Sequence, residues 1–329
     1  MATLQNDLRV VMSYLSNFWR YNVEAFPPKS KYSVEDVPDL TGLVAIVTGG
    51  NGGIGKEIVK ALLRKNAKVY MASRNKEKAD AAITELKKET ESEALFLELD
   101  LADLNSVKRA VEQFRSQETA LHLLFNNGGV MWPPIEMLTA QGYDLQFGTN
   151  VFGHFYLTKL LLPQLIEGSK SSPEGKARVV TVSSIVRHLS QGAVDYETLT
   201  DGPRRRKFGT IALYNQSKLG VVLLSREFAR RFGDQGIVFT GCAPGILKTD
   251  LLRHANRVSA WMIKTIYMYE PELGALTPLY AGTSPETLDS NGAFFVPWAR
   301  RTESACPGSD DPQKAEELWN WLEEQVKDI

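Results

Sequence analysis

The stretch "TGGNGGIGKEIVKALL", residues 48–63, decides how the rest of the chain is read. It follows the apolar run "LVAIV" at 43–47 and leads into apolar residues at helical spacing, so it is a glycine-rich turn joining a buried strand to a helix. Thr48, Gly49, Gly53, Ile54 and Gly55 form T-G-x-x-x-G-I-G, and Gly50, Gly52 and Gly55 also satisfy G-x-G-x-x-G. Glycines here let the backbone approach a pyrophosphate, while the helix start offers free N–H groups and the positive end of its dipole. Asn51 falls inside the same turn.

The alternation continues on both sides. "LVAIVT" at 43–48, "KVYMAS" at 68–73, "ALFLEL" at 94–99, "LHLLFN" at 121–126, "RVVTVS" at 178–183, "IVFTGCA" at 237–243 and "AFFV" at 293–296 read as buried strands. Segments such as "KEIVKALLRK" and "SVKRAVEQFRSQ" between them carry helical periodicity. Continuous apolar strands need cover on both faces. The expected fold is therefore α/β: a single doubly wound Rossmann-type domain, residues 41–329, with a seven-stranded parallel sheet and helices on both faces. Ligands of such sheets bind beyond the carboxyl ends of the strands, so the residues after each strand carry the functional signal.

The second strand ends in Ser73-Arg74-Asn75-Lys76, with no carboxylate to take the ribose 2′-hydroxyl of NAD. A serine and a guanidinium suit a 2′-phosphate, which makes NADP(H) the expected cofactor and NAD(H) the alternative. After the third strand Asp100, followed by Leu101, is placed to accept from the adenine amino group, and Asp103 reads as a helix-start residue.

Totals exclude other classes. The charge is −1, from 38 basic and 39 acidic side chains, so no global basic field points to nucleic acid. Cys242 and Cys306 are the only cysteines; both read as free thiols, in keeping with a reducing, cytoplasmic setting. Apolar stretches are interrupted well before the roughly 18 residues that a membrane span needs. No Cys/His/Asp grouping has metal spacing, so no metal site is expected.

Residues 1–40 stand apart. Leu4, Leu8, Val11, Leu15 and Phe18, thickened by Met12 and Trp19, form the stripe of an amphipathic helix. That helix either folds onto the body of the protein or a second subunit, or makes membrane-surface contact through residues 4–19, which would place the protein peripheral to a membrane. Pro27, Pro28 and Pro38 make the following segment an extended connector.

Six motifs in order resemble one family, the short-chain dehydrogenases/reductases. They are the glycine turn, "NNGGV" at 126–130, "TNVFGHF" with Asn150, "VTVSS" ending at Ser184, "YNQSK" with Tyr214 and Lys218, and "APGILKT" at 243–249. The family usually has N-N-A-G where Gly128 stands here. The resemblance implies an oxidoreductase acting on a CH-OH or C=O group, with Tyr214 as acid or base. Lys218 would lower the phenol pKa and hold the nicotinamide ribose, Ser184 would bind the substrate oxygen, and Asn150 would hold a proton-relay water. Besides Gly49, Asn51, Gly53, Ile54, Gly55, Arg74, Asp100 and Leu101, the cofactor would meet Asn127, Gly128, Gly129, Tyr214, Lys218, Pro244, Gly245, Leu247 and Thr249. Ser184 is chosen over Ser183 because relatives with this "VSS" ending use the second serine.

Ser184 lies 30 residues before Tyr214, further than in many relatives; this insertion resembles the retinol-dehydrogenase-like and WW-domain-oxidoreductase-like branches. Its run Arg204 to Lys207 reads as solvated surface, with attraction to an acidic group or lipid as the alternative. His154 reads as packed on its helix; His188 and His254 lie where they could line a pocket.

The substrate loop, about 246–275, holds Leu251, Leu252, Trp261, Met262, Ile263, Ile266, Tyr267 and Met268. It either lines a pocket for a hydrophobic alcohol, aldehyde or ketone or forms a dimer or lid helix. Trp298 and Arg300 are expected near the same cleft, and a final helix from about Pro312 packs Leu318, Trp319 and Leu322 on the domain. Relatives usually pair through helices at 136–167 and 214–232, which implies a homodimer unless the added N-terminal helix or a masked interface leaves the chain monomeric. The alternative to an enzyme is a silent nucleotide-binding regulator of the same fold.

Overall fold

The computed structural model describes residues 20–249 and 268–329. The expected helix at 4–19, His254 and most of the apolar substrate loop lie outside the described residues. Strands β1 (Val44–Thr48), β2 (Lys68–Ser73), β3 (Leu95–Glu98), β4 (Leu123–Asn126), β5 (Ala177–Val182), β6 (Ile237–Cys242) and β7 (Phe294–Val296) pair in parallel. An eighth strand, β8 (Arg300–Thr302), adds antiparallel to β7, giving the order β3-β2-β1-β4-β5-β6-β7-β8. Sequence reading missed β8 because its residues, Arg-Arg-Thr, carry no apolar run.

Register alternates the sheet's side chains between two cores. On one face Ala45 and Val47 pack with α1 (Gly53–Arg64), α2 (Lys76–Thr90) and α6 (Pro271–Thr283). On the other, Ile46 and Val179 pack with α3 (Leu104–Arg115), α4 (Gly153–Ser171), α5 (Pro203–Phe232) and α7 (Pro312–Gln325). The expectation of uniformly buried strands fails at β3, where Leu95 is 38% exposed. β3 is an edge strand with one neighbour only.

Asp103 does cap α3, accepting from the Asn105 backbone N–H at 3.0 Å. The basic run is corrected at one position. Arg204 and Arg206 are exposed and pair with Asp195 and Asp201, but Arg205 is 1% exposed and bonded to the buried Asp144 at 2.9 Å. Helical phase turns Arg205 inward, where Asp144, raised in pKa by burial, requires a cation beside it. Asp144 in turn caps the Gln146 and Phe147 N–H groups, so this pair fixes the turn that precedes Asn150.

Helix α7 lies across α4 and α5. Trp319 meets Phe155 and Phe228 edge-on at 5.1 and 4.8 Å, and Leu318 and Leu322 are fully buried. Burial on this scale stabilises by about 2–3 kcal/mol per large side chain. Both cysteines are buried free thiols, and among the described residues no helix is long and apolar enough to cross a membrane.

Candidate active site

The glycine turn between β1 and α1 forms one wall of a cleft of about 620 Å³ at the carboxyl ends of β1, β2, β3 and β4. Gly49 has φ +65°, a left-handed conformation that a side chain would strain. A Cβ on Gly55 would stand 2.3 Å from the Gly49 carbonyl oxygen, so the turn closes onto α1 only without one. Of the residues singled out from the sequence, Gly49, Asn51, Gly53, Ile54, Arg74, Asp100, Leu101, Asn127, Gly128, Gly129 and Thr249 line this cleft. Gly55 lies beneath it. Asp100 accepts from the Ala102 N–H at 2.9 Å, which orders the turn that carries Leu101.

Ser73, Asn75 and Lys78 also line the cleft. The Ser73 hydroxyl is buried there with no hydrogen-bond partner. Asn75 caps α2 by accepting from the Lys78 N–H at 2.8 Å, which places Lys78 in the first helical turn. Its signal was Asn75 three residues ahead, an N-cap that puts Lys78 at the helix start facing the strand ends. An unpartnered hydroxyl, a guanidinium and an ammonium at the β2 end fit a nucleotide phosphate, as the glycine turn fits a pyrophosphate.

Thr48 organises the floor. Its hydroxyl accepts from the backbone N–H groups of Asn127 and Gly128 at 2.9 and 2.8 Å, and His154 Nε2 lies 2.9 Å away. His154 Nδ1 faces the Asn150 carbonyl oxygen at 3.1 Å and so must carry the ring proton; Nε2 then accepts the Thr48 hydroxyl proton. Burial pushes the His154 pKa down to about 4, with the Lys218 charge adding and the Asn150 carbonyl opposing. The ring is neutral and ties β1, the 126–129 turn and the Asn150 turn together. Spacing alone suggested a histidine packed on its helix; one partner, Asn150, lies on that helical run and the other, Thr48, on β1.

Behind Gly129 of the cleft wall stand the Asn150 side chain and the Lys218 ammonium. Asn150 sits in a π-helical turn, Gly148–Phe152, before α4. Its side chain accepts from the Val130 N–H at 2.9 Å and donates to the Val130 carbonyl and the Ser217 hydroxyl at 3.1 and 3.0 Å. Tyr214 and Lys218 lie one turn apart on α5, both buried, with the ammonium 5.8 Å from the ring centroid. Lys218 Nζ donates to the Val182 carbonyl at the end of β5, at 3.0 Å.

The two serines separate cleanly. Ser183 donates to the Lys218 carbonyl at 2.7 Å and is occupied in holding α5 to β5. Ser184 caps the 3-10 turn Ile185–Leu189, and its hydroxyl interacts with the Tyr214 phenol. Burial raises the phenol pKa and Ser184 opposes the rise; burial pushes Lys218 down to about 8. For both groups desolvation is the largest influence, working against the charged form of each.

Pro244, Gly245 and Leu247 stand beyond β6, outside the cleft's lining. Gly245 packs against Trp298, within 2.9 Å of where a Cβ would be, and Leu247 bridges Tyr269. Trp298 meets Tyr269 edge-on at 5.1 Å, so this corner is aromatic. Arg300, at the start of β8, donates to the Pro297 carbonyl at 2.6 Å, next to Trp298 in sequence. Among the described residues no group of three or more His, Cys, Asp or Glu could hold a metal ion.

Comparison with known proteins agrees with this geometry. A family model described as short chain dehydrogenase matches residues 43–195. A short-chain dehydrogenase/reductase of Armillaria gallica is 52% identical over 314 residues, spanning 95% of this chain and 100% of that one. Human retinol dehydrogenase 12 is 32% identical over 317 residues, spanning 94% and 96%. Among solved structures, the Pseudomonas aeruginosa RhlG/NADP active-site complex superposes with TM-score 0.62 at 26% identity, over 79% of this chain and 95% of that one. A Mycobacterium paratuberculosis protein does so with TM-score 0.70 at 29% identity, over 91% and 98%. With its parallel sheet, glycine cleft and full-length relatives, the chain belongs to the short-chain dehydrogenase/reductase family of NAD(P)-dependent oxidoreductases.

Proposed function

We propose that this protein is an NADPH-dependent reductase of a hydrophobic aldehyde or ketone, with Tyr214 as the proton donor. The observation that carries the reading is the buried Tyr214 phenol one helical turn from Lys218, whose ammonium stands behind Gly129 of the nucleotide cleft. When bound, the nicotinamide would supply hydride to the carbonyl carbon. The Tyr214 hydroxyl would give its proton to the carbonyl oxygen, and Ser184 would donate a hydrogen bond to that oxygen as charge develops on it. Because burial keeps the phenol protonated at neutral pH, the residues are set for reduction; alcohol oxidation would need the phenolate.

Lys218 would hold the nicotinamide ribose hydroxyls and restore the Tyr214 proton, in a relay with Asn150 and water. Arg74, Lys78 and the Ser73 hydroxyl would meet the 2′-phosphate, which favours NADPH over NADH. A charge-assisted hydrogen bond contributes about 1.5–3 kcal/mol, so about tenfold or more in preference follows. A lipophilic substrate is supported by the aromatic corner of Trp298 and Tyr269, by the apolar sequence at 251–268, and by a relative whose name includes retinol.

The test follows NADPH and NADH oxidation with a panel of hydrophobic aldehydes and ketones, retinal and decanal included, beside Tyr214→Phe. Turnover favouring NADPH, lost by about a hundredfold or more in the variant while NADPH still binds, is the expected result. Tight NADPH binding without turnover of any probe would instead indicate a nucleotide-binding regulator.

A further inference from the structure

Outside the nucleotide cleft, one cluster of buried charge has no part in the chemistry above. Residues 20–25 are helical and bring Glu24, 6% exposed, against the 3-10 turn that follows Ser184. Arg187, fully buried on that turn, meets Glu24 through two hydrogen bonds of 2.9 and 2.6 Å, one from each terminal nitrogen. Two further donors are used: Nε bonds the Ala305 carbonyl at 2.9 Å, and Nη1 also bonds the Ser184 carbonyl at 2.9 Å. The guanidinium lies 4.3 Å over the Phe294 ring of β7. Glu24 Oε1 also meets His188 Nε2 at 2.9 Å, so a single carboxylate orders two consecutive side chains of the turn.

Such a network is expensive to bury, since each ion loses its water and is compensated only by near-ideal geometry. Because a buried ion pair adds little net stability over hydrophobic side chains of similar size, what this network contributes is geometric order. The group being oriented is the Ser184 backbone. Its carbonyl is held by Arg187, its hydroxyl faces Tyr214, and its extended backbone, at φ −158° and ψ 159°, makes the sharp exit from β5.

We propose that Glu24 and Arg187 are positioning residues that hold the Ser184 hydroxyl against the Tyr214 phenol, so that the reaction centre is completed from the segment ahead of the dinucleotide domain. This rests on Ser184 acting at the carbonyl oxygen. The Glu24 charge also bears on Arg300, and Arg20 bears on His188.

A double-mutant cycle in the full-length protein tests it, with retinal and decanal as probes. Glu24→Gln keeps the shape and removes the charge; Glu24→Gln with Arg187→Met leaves no unpaired buried charge and serves if the single variant does not fold. Each should lower kcat by about tenfold, with KM for NADPH moved by less than about twofold. In a Ser184→Ala background the same change should cost less than about twofold, because the group it positions is gone. Equal losses in both backgrounds would mean mere structural support and overturn the proposal. If Ser184→Ala itself leaves kcat unchanged, it is the assignment of Ser184 that fails, and the positioning role falls with it. Should neither probe be turned over, crystal structures decide: a Ser184 hydroxyl displaced from Tyr214 in the protein carrying both Glu24→Gln and Arg187→Met supports positioning, and an unmoved one overturns it.

Discussion

Replacing His154 by glutamine isolates the buried ring that joins Thr48 to Asn150. The wild-type ring makes two hydrogen bonds, to the Thr48 hydroxyl at 2.9 Å and the Asn150 carbonyl at 3.1 Å. Glutamine can keep one of them, so the loss at pH 7.5 should be about 1–2 kcal/mol. The informative quantity is its pH dependence. The folded pKa is depressed to about 4 from 6.5, so the unfolded chain binds more protons between those values. The wild type therefore has this contribution in full above pH 6.5 and loses it as pH falls toward 4. From pH 7.5 to pH 5 that loss is about 2 kcal/mol for the wild type and zero for a glutamine. Urea unfolding at both pH values should show His154→Gln less stable at pH 7.5 and equal to or above wild type at pH 5. His122 and His188 titrate identically in both proteins and cancel. A stability gap that stays constant between the two pH values would refute the neutral, desolvated ring and, with it, the hydrogen-bond directions assigned around Thr48.

Two further outcomes are expected. Lys218 titrates at about 8 in the folded protein, so kcat/KM for carbonyl reduction should fall as pH rises through about 8, with no earlier limb from the raised Tyr214; a rate that rises there would contradict the assignment. Against the homodimer that the resemblance implies, α7 packs Trp319 onto Phe155 of α4 and Phe228 of α5, where pairing would need a free face, so light scattering should give a monomer of 36.7 kDa. A dimer unaffected by substitutions on the outer face of α7 would show that pairing uses another surface.

The glycine turn, seven strands and the Tyr214/Lys218 spacing were legible in the chain because each depends on local rules: conformational freedom at glycine, apolar runs, and the one-turn repeat of a helix. Most of the residues that meet at the nucleotide cleft were legible for the same reason, since they follow strand ends in order; Lys78, on α2, was not. What could not be read locally was set by contacts across long separations. Ser183 and Ser184 are chemically identical neighbours, and only the packing of α5 on β5 sends one to the Lys218 carbonyl and the other to Tyr214. Arg205 sits in a basic run whose other arginines are solvated, and becomes a core residue because Asp144, 61 positions earlier, is buried beside it. Glu24 looks like part of a connector until the fold brings Arg187, 163 residues later, against it. Sequence determines which residues can form a strand end, a turn or a helix face; tertiary structure decides which buried polar group satisfies which, because desolvation makes each burial depend on a partner that no local pattern names.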